Sequence, residues 1–211
     1  MARHPQEHDY LPAMGKDHLL PFYDVCTWLL GVGRIHRRLV ELAAIEPGHR
    51  VLEIGCGPGG LVLRAQRMHP HAEVVGLDPD PLALAKARRK AARAGLPVRF
   101  DQGKAGDLPY PDESFDRVLS SFMFHHLDDD EKRRALAEAR RVLRPGGQLH
   151  LVDVAGHHHG RFGHRMLRNE RLRDNAGDGV PDRMRAAGFT DVRTGERGRL
   201  HTTFYRATRE G

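Results

Sequence analysis

Several features that define other protein classes are scarce in this 211-residue chain. Its two cysteines, Cys26 and Cys56, cannot form a disulfide framework, so a reduced cytoplasm is the expected location. The sequence contains no run of about 18 apolar residues, and we expect no membrane span. Residues 1–9 lack the apolar segment of a signal peptide, so we expect none. The length favours one main domain with a sizeable core.

Lysine and aromatic residues are also scarce. Only five of the 34 basic residues are lysines, so arginine carries most of the positive charge, and the net charge is +6. Such a balance can attract anionic partners, including nucleic acid. Aromatic residues make up only 6% of the chain, and they do not alternate with basic residues as single-stranded nucleic-acid binding requires. We therefore do not expect a nucleic-acid partner.

Strand and helix patterns alternate along most of the chain. Five short apolar segments predict strands, at residues 50–54, 73–78, 98–100, 116–122 and 148–154. Helical patterns with short links lie between them, which predicts an α/β fold with a mostly parallel sheet wound on both faces. Residues 191–194 and 201–207 then predict a closing antiparallel pair.

Residues 1–44 are predicted to form a separate helical element. Residues 19–44 have a helical apolar pattern that Gly31-Val32-Gly33 interrupts, which predicts two helices. Such a pair is not expected to be stable alone, so it should lie on the main domain. It either only packs there or forms a lid over the binding site, with Tyr23 facing the ligand. We assign residues 1–44 as an N-terminal helical lid and residues 45–211 as the main domain.

The chain is organised around a glycine-rich turn that follows the first strand. Gly55-x-Gly57-x-x-Gly60 matches the dinucleotide fingerprint, and Asp78 lies at about the expected spacing of ~20 residues. This pattern alone permits an NAD-dependent oxidoreductase. Glu53 argues against that interpretation, because it places a carboxylate two residues before the first glycine, where a dinucleotide site needs no acid.

Five segments, in order, carry a resemblance to a known family. They are residues 51–59, 76–78, 108–116, 120–127 and 141–147. Together they resemble the class I S-adenosylmethionine (SAM) methyltransferases, in the subgroup similar to the menaquinone-biosynthesis methyltransferases. The resemblance covers roughly residues 45–207. It implies a three-layer Rossmann-like, seven-stranded sheet with a reversed strand in the C-terminal hairpin, and it identifies residues 45–211 as a SAM-binding domain.

The resemblance implies SAM as the cofactor and assigns contacts to residues that follow the strands. Asp78 is expected to accept both ribose hydroxyls, because a carboxylate offers two acceptor oxygens. Glu53 is expected to orient the turn or to receive the ammonium group. The other implied cofactor contacts are Gly55, Cys56, Gly57, Gly59, Pro79, Lys104, Ala105 and Ser121.

One cofactor loop departs from the family pattern. The family usually has Gly-Asp-Ala after the third strand, where the acid meets the adenine amino group, but this chain has Gly103-Lys104-Ala105. A lysine cannot accept a hydrogen bond. The Ala105 N–H can still meet an adenine ring nitrogen, and Asp107 is a substitute acceptor. Lys104 itself either points to solvent or reaches an anionic group of the substrate.

The acceptor side is expected at the end of the fourth strand. His126 is the predicted catalytic base, because strand alternation places it on the side of Ser120, and histidine titrates in the required range. His125 and Tyr23 are the predicted substrate contacts. Asp153 and His157-His158-His159 do not favour a metal site, because consecutive histidines cannot all face one ion on a helix.

The sequence therefore predicts methyl transfer from SAM to an oxygen, carbon or nitrogen of a small molecule. The tetrapeptide D/N-P-P-Y/F of amino methyltransferases and a Pro-Cys nucleophile are both absent. Arg161, Arg165 and Arg168 are spaced to share a helical face, which is either solvated or draws in an acidic substrate. The alternatives are a SAM-fold protein that uses the cofactor as a scaffold for another reaction and a nucleic-acid methyltransferase. A homodimer is compatible with the sequence.

Overall fold

The computed structural model describes residues 31–154, 179–197 and 202–211. The helices in these ranges are α1 (Val32–Leu42), α2 (Gly60–Met68), α3 (Pro81–Arg93), α4 (Asp129–Val142) and α5 (Gly179–Ala186). The strands are β1 (Arg50–Ile54), β2 (Glu73–Asp78), β3 (Arg99–Gln102), β4 (Phe115–Ser121), β5 (Leu143–Val154), β6 (Thr190–Arg197) and β7 (Thr202–Thr208). A short 3₁₀ helix, Phe124–His126, follows β4.

The seven strands form one sheet in the order β3-β2-β1-β4-β5-β7-β6. Strands β1 to β5 pair in parallel, and β7 runs antiparallel to both of its neighbours. The predicted mostly parallel sheet with a reversed strand in the C-terminal hairpin is therefore confirmed. The strand order reverses between β1 and β4, and ligands of such sheets bind at that point, beyond the carboxyl ends of the strands. We call this end of the parallel strands the carboxyl edge.

Side-chain alternation divides the core into two apolar layers. Val51 and Leu119 face α1, α2 and α3, where Leu39 and Leu61 pack against them. On the other face, the sheet packs against α4 and α5 through a second set of buried residues that includes Leu52, Val118, Leu136 and Met184. The sheet is thus the middle of three layers, and its carboxyl edge lies between the two helical layers.

Local sequence signals set several helix boundaries. At α3, the Asp80 side chain accepts the Leu82 N–H at 2.8 Å and Pro81 occupies the first position. At α4, Asp128 and Glu131 exchange two side-chain-to-backbone hydrogen bonds of 2.8 Å each, which is a capping box. Gly31 (φ 73°) precedes α1, so this helix begins within the predicted Gly31-Val32-Gly33 segment. These boundaries agree with the sequence-based predictions.

Two parts of the chain differ from or fall outside the predictions. Strand β5 begins at Leu143 rather than at the predicted residue 148. Gly146 and Gly147 exchange backbone hydrogen bonds with Arg209, which pairs this stretch with the residue that follows β7. Residues 1–30 of the predicted lid lie outside the described residues, whereas α1 packs into the core on the α2 side.

Candidate active site

The glycine turn leaves β1 at the carboxyl edge and leads directly into α2. The N–H groups of Gly55 and Cys56 both donate to the Leu77 carbonyl, at 2.8 and 3.0 Å, which ties the turn to β2. Gly57 has φ 49°, and a Cβ at this position would have no heavy atom of the described residues within 4 Å. Among these residues, glycine therefore leaves space above the turn, next to the N–H groups that begin α2.

Two other residues of the turn serve packing. A Cβ on Gly55 would lie 2.4 Å from Met123 Cγ, so glycine lets the Met123 side chain pack on the turn. The Cys56 side chain is buried beside Gly76, and burial raises the pKa of its thiol. Its carbonyl accepts the Gly59 N–H at 2.9 Å. The polar backbone groups of Cys56 are thus used inside the turn, and Cys56 offers a ligand only contact surface.

Glu53 is a buried acid on β1, only 2% exposed. Burial raises the pKa of its carboxyl well above the usual range; a hydrogen bond from the Val62 backbone opposes the rise, and the nearby Asp78 charge adds to it. Within the described residues, Glu53 Oε2 is buried without a hydrogen-bond partner. Buried acceptors are normally satisfied, so this oxygen is available to a donor or cation that a ligand would supply.

Asp78 ends β2 and holds two neighbouring loops. One carboxylate oxygen accepts the Gly57 N–H at 2.7 Å, and the other accepts the Asp80 N–H at 2.9 Å. Burial raises its pKa, and these two hydrogen bonds oppose the rise. Each oxygen still has a second acceptor position, so the carboxylate can receive the two hydroxyls of a ribose. The cap of α3 is Asp80, which leaves Asp78 for the ligand. Pro79 lies between them, half-buried.

Asp78 and Asp80 form a matched pair for mutagenesis. Asp78→Ala should weaken SAM binding about tenfold or more, because hydrogen bonds to a charged group contribute about 1.5–3 kcal/mol. Asp80→Ala removes only the helix cap and should lower the free energy of unfolding by about 1 kcal/mol. Calorimetric titration and chemical denaturation measure the two effects. Equal SAM affinities in wild type and Asp78→Ala would contradict the ribose assignment.

The loop after β3 reaches the same edge. The Gly103 N–H donates to the Asp78 carbonyl at 3.2 Å, which places Lys104 and Ala105 beside the end of β2. The side chain of Lys104 is exposed, and its carbonyl accepts the Asp107 N–H at 3.2 Å. Asp107 is exposed as well. The adenine contacts assigned to this loop remain predictions.

Ser121, the last residue of β4, has a partner that sequence reasoning missed. His36 Nε2 of α1 lies 3.0 Å from Ser121 Oγ. Burial, and secondarily the charge of Arg64, lower the pKa of His36 to about 4, so the ring is neutral in ordinary buffers. The two residues are 85 positions apart, and no local pattern pairs them.

The chain after β4 departs from strand geometry. Phe122 has φ 54°, an uncommon conformation for a non-glycine residue that often occurs at functional sites. Residues 124–126 then form the 3₁₀ turn. Alternation from Ser120 therefore does not carry through to His126, and the argument that favoured it as the base no longer applies. His126 contacts the neighbouring His125 ring, with ring centroids 4.0 Å apart, and its role remains a prediction.

His125 is held by a buried carboxylate from the next strand. His125 Nδ1 lies 2.6 Å from Asp153 Oδ1, and the His125 N–H donates to Oδ2 at 2.9 Å. The Val154 N–H also donates to Oδ1, at 2.7 Å, and Asp153 is 1% exposed. The ring is thereby fixed with Nδ1 toward the carboxylate. A hydrogen-bonded His–Asp pair can accept a proton at Nε2, which is the arrangement of a general base.

Several predicted residues lie outside the described part of the chain. They are Tyr23, His157-His158-His159, Arg161, Arg165 and Arg168. Within the described ranges, no group of three or more histidine, cysteine or acidic side chains is arranged to hold a metal ion. Among the helices described, none combines the length and apolar character needed to cross a bilayer.

A doubly wound sheet with an acidic residue before its glycine turn, a second acid at the end of β2 and a reversed seventh strand is the arrangement expected of a class I SAM-dependent methyltransferase. Residues 51–147 match the family model described as a methyltransferase domain. The chain belongs to this family, in the group similar to the menaquinone methyltransferases. SAM is the cofactor of the family. The glycine turn, the Glu53 oxygen that has no partner among the described residues and the spare acceptor positions of Asp78 fit it.

Named relatives agree with this assignment. The chain is 43% identical over 148 residues to a demethylmenaquinone methyltransferase of Thermus thermophilus, covering 69% of this chain and 66% of the relative. It is 38% identical over 148 residues to a protein of the same name from Deinococcus radiodurans, covering 69% and 61%. In both cases, the matched part is less than two-thirds of the relative.

A solved structure shows the same fold at low sequence identity. The [4+2]-cyclase SpnF superposes with a TM-score of 0.71 at 22% identity, over 84% of this chain and 80% of that one. At this identity the likeness concerns the fold alone.

Proposed function

We propose that the protein is an enzyme that transfers a methyl group from SAM to a small-molecule acceptor. The observation that carries the proposal is the buried Oε2 of Glu53, which has no hydrogen-bond partner in the described part of the chain, at the base of the glycine turn. Asp78 lies beside it with spare acceptor positions for a ribose. SAM would supply an electrophilic methyl group on a positively charged sulfur. The residues at the carboxyl edge bind and orient it.

We propose a quinone-type acceptor, such as reduced demethylmenaquinone. Both named relatives carry this acceptor in their names. A hydroquinone is a weak nucleophile until a hydroxyl proton leaves, because its phenolate form donates electron density to the ring. An enzyme for such an acceptor therefore gains from a base near the reacting atoms.

We propose that His125 is this base. The Asp153 carboxylate holds Nδ1–H, so Nε2 carries the lone pair that accepts the hydroxyl proton. The carboxylate then stabilises the imidazolium that forms. Both groups lie at the ends of adjacent strands, β4 and β5, so their geometry is preorganised. His126 is then a neighbour that contacts the His125 ring rather than the base.

The function is tested with the purified chain, SAM and chemically reduced demethylmenaquinone. We expect S-adenosylhomocysteine to form in step with a quinone that has gained one methyl group, as measured by mass spectrometry. Binding of SAM without methylation of any hydroxylated quinone would contradict the proposed acceptor. A chain that does not bind SAM would contradict the proposed activity.

One alternative is a SAM-bound scaffold for another reaction. A [4+2]-cyclase has this fold, and the fold alone does not determine which reaction a protein catalyses. It predicts that SAM stays intact during turnover, which the same assay measures. A nucleic-acid methyltransferase, the other alternative, predicts RNA binding with a steep salt dependence.

Three further proposals concern the cellular location, residues 1–44 and the oligomeric state. We propose a cytoplasmic location, which the two-cysteine composition supports. Residues 1–44 are proposed to act as a lid, although the described part, α1, also contributes to the core. Homodimer formation is likewise a proposal.

A further inference from the structure

His36 connects three parts of the carboxyl edge. It is on α1, its Nε2 is 3.0 Å from Ser121 Oγ at the end of β4, and its ring centroid lies 6.5 Å from that of Phe122. A Cβ on Gly60, the first residue of α2, would lie 3.2 Å from His36 Cε1. The imidazole thus stands where α1 meets both the glycine turn and the end of β4.

The hydrogen bond fixes the Ser121 hydroxyl. A neutral imidazole can donate to or accept from a hydroxyl through Nε2, depending on its tautomer. When Nε2 accepts, the Ser121 O–H points at the ring and Oγ keeps a lone pair for a further partner. When Nε2–H donates, Ser121 Oγ accepts, and its O–H is left to donate to a further partner. Ser121 is half-buried at the carboxyl edge, so that remaining capacity is accessible to a ligand there.

We propose that His36 is a positioning residue for the cofactor: it orients Ser121 and makes α1 one wall of the SAM pocket. The inference rests on the proposed function, because it takes SAM as the ligand at this edge. Under this proposal α1 contributes to SAM binding as well as to packing of the core. It also predicts that binding of SAM and docking of α1 stabilise each other.

Other contacts hold α1 in place without His36. Ile35, Leu39 and Val40 are buried in the core on the α2 side. Arg117 Nε donates to the carbonyl of Ala43, just beyond α1, at 2.7 Å. Removing the imidazole should therefore leave the helix docked, and the loss should appear mainly in ligand binding.

A double-mutant cycle tests the proposal by calorimetric titration with SAM. His36→Ala and Ser121→Ala should each weaken binding about fivefold to tenfold, as expected for one lost hydrogen bond. The double variant should bind no more weakly than either single variant, because the two residues act as a unit. His36→Gln retains a side-chain donor and acceptor and should recover part of the affinity. Ile35→Val is the matched control: it should lower the Tm without changing SAM affinity.

The outcomes separate the two proposals. Equal affinities of wild type, His36→Ala and Ser121→Ala would overturn the positioning role alone. Losses that add in the double variant would also overturn it, because the residues would then act independently. A wild-type chain that does not bind SAM would overturn the proposed function, and with it this inference.

Discussion

Replacing His125 with alanine is expected to lower kcat for methylation by about 100-fold or more, the usual contribution of a positioned general base. SAM affinity should stay within about twofold of wild type, because the role proposed for His125 concerns the acceptor and none of the proposed SAM contacts is removed. Rates of S-adenosylhomocysteine formation, together with SAM titrations, separate these two effects.

Two further variants test this assignment: Asp153→Asn alters the residue that holds His125, and His126→Ala is the control. Asp153→Asn places an amide against Nδ1, which reverses the favoured tautomer, so kcat should again fall by about tenfold or more. His126→Ala leaves the pair intact and should have the smaller effect on kcat. If His126→Ala abolished turnover while His125→Ala remained active, the sequence-based prediction of His126 as the base would be correct and the proposal of His125 would be wrong.

Replacing Glu53 with glutamine is expected to weaken SAM binding while stabilising the free protein. The carboxylate is buried, and its Oε2 has no partner within the described residues, so it favours a cationic ligand and destabilises the folded chain without one. A neutral amide loses the attraction to the ammonium group. We expect SAM affinity to fall at least tenfold and the free energy of unfolding to rise by about 1–3 kcal/mol near neutral pH.

The difference in unfolding free energy between Glu53→Gln and wild type should depend on pH. Folding raises the pKa of Glu53, so the folded protein binds the proton more tightly than the unfolded chain. Unfolding free energy is therefore lost as pH rises above about 4.3, the unfolded value, toward the folded pKa. Glu53→Gln removes this loss, so its advantage in stability should increase with pH across that window. An advantage that decreased with rising pH would contradict the raised pKa.

Glu73→Gln is the matched control for Glu53→Gln. Glu73 begins the neighbouring strand β2, where it is exposed and pairs with Arg50 at 3.0 Å. An exposed ion pair contributes at most about 1 kcal/mol, so this variant should be slightly less stable than wild type. Its SAM affinity should be unchanged. A loss of SAM affinity in both variants would indicate an effect of net charge rather than of Glu53.

Local sequence signals predicted most of the fold. The caps Asp80 and Asp128 define helix starts through contacts within three residues, and strand periodicity defines the central strands. The candidate cofactor residues could also be proposed from the sequence, because Glu53, the glycines and Asp78 lie at or just after the ends of two strands that meet at one edge. These inferences depend on short-range patterns and on the known topology of parallel sheets.

The contacts that complete the site depend on distant residues. His36 and Ser121 are 85 positions apart, and His125 and Asp153 are 28 apart, so periodicity within one element cannot pair them. The choice between His125 and His126 depended on a strand continuing past Ser121. The positive φ of Phe122 ends that strand, and a backbone conformation of this kind has no signal in a phenylalanine.

The most direct test of the central claim is a SAM titration of wild type beside Gly57→Val and Gly95→Val. Both glycines have positive φ, 49° and 62°, and no described heavy atom lies within 4 Å of where a Cβ would stand, so the two substitutions impose similar backbone strain. Only Gly57 lies at the carboxyl edge; Gly95 follows α3. We predict that wild type and Gly95→Val each bind one SAM per chain and that Gly57→Val binds none. Binding of SAM by Gly57→Val with wild-type affinity, or no binding by wild type, would contradict a SAM site at this turn.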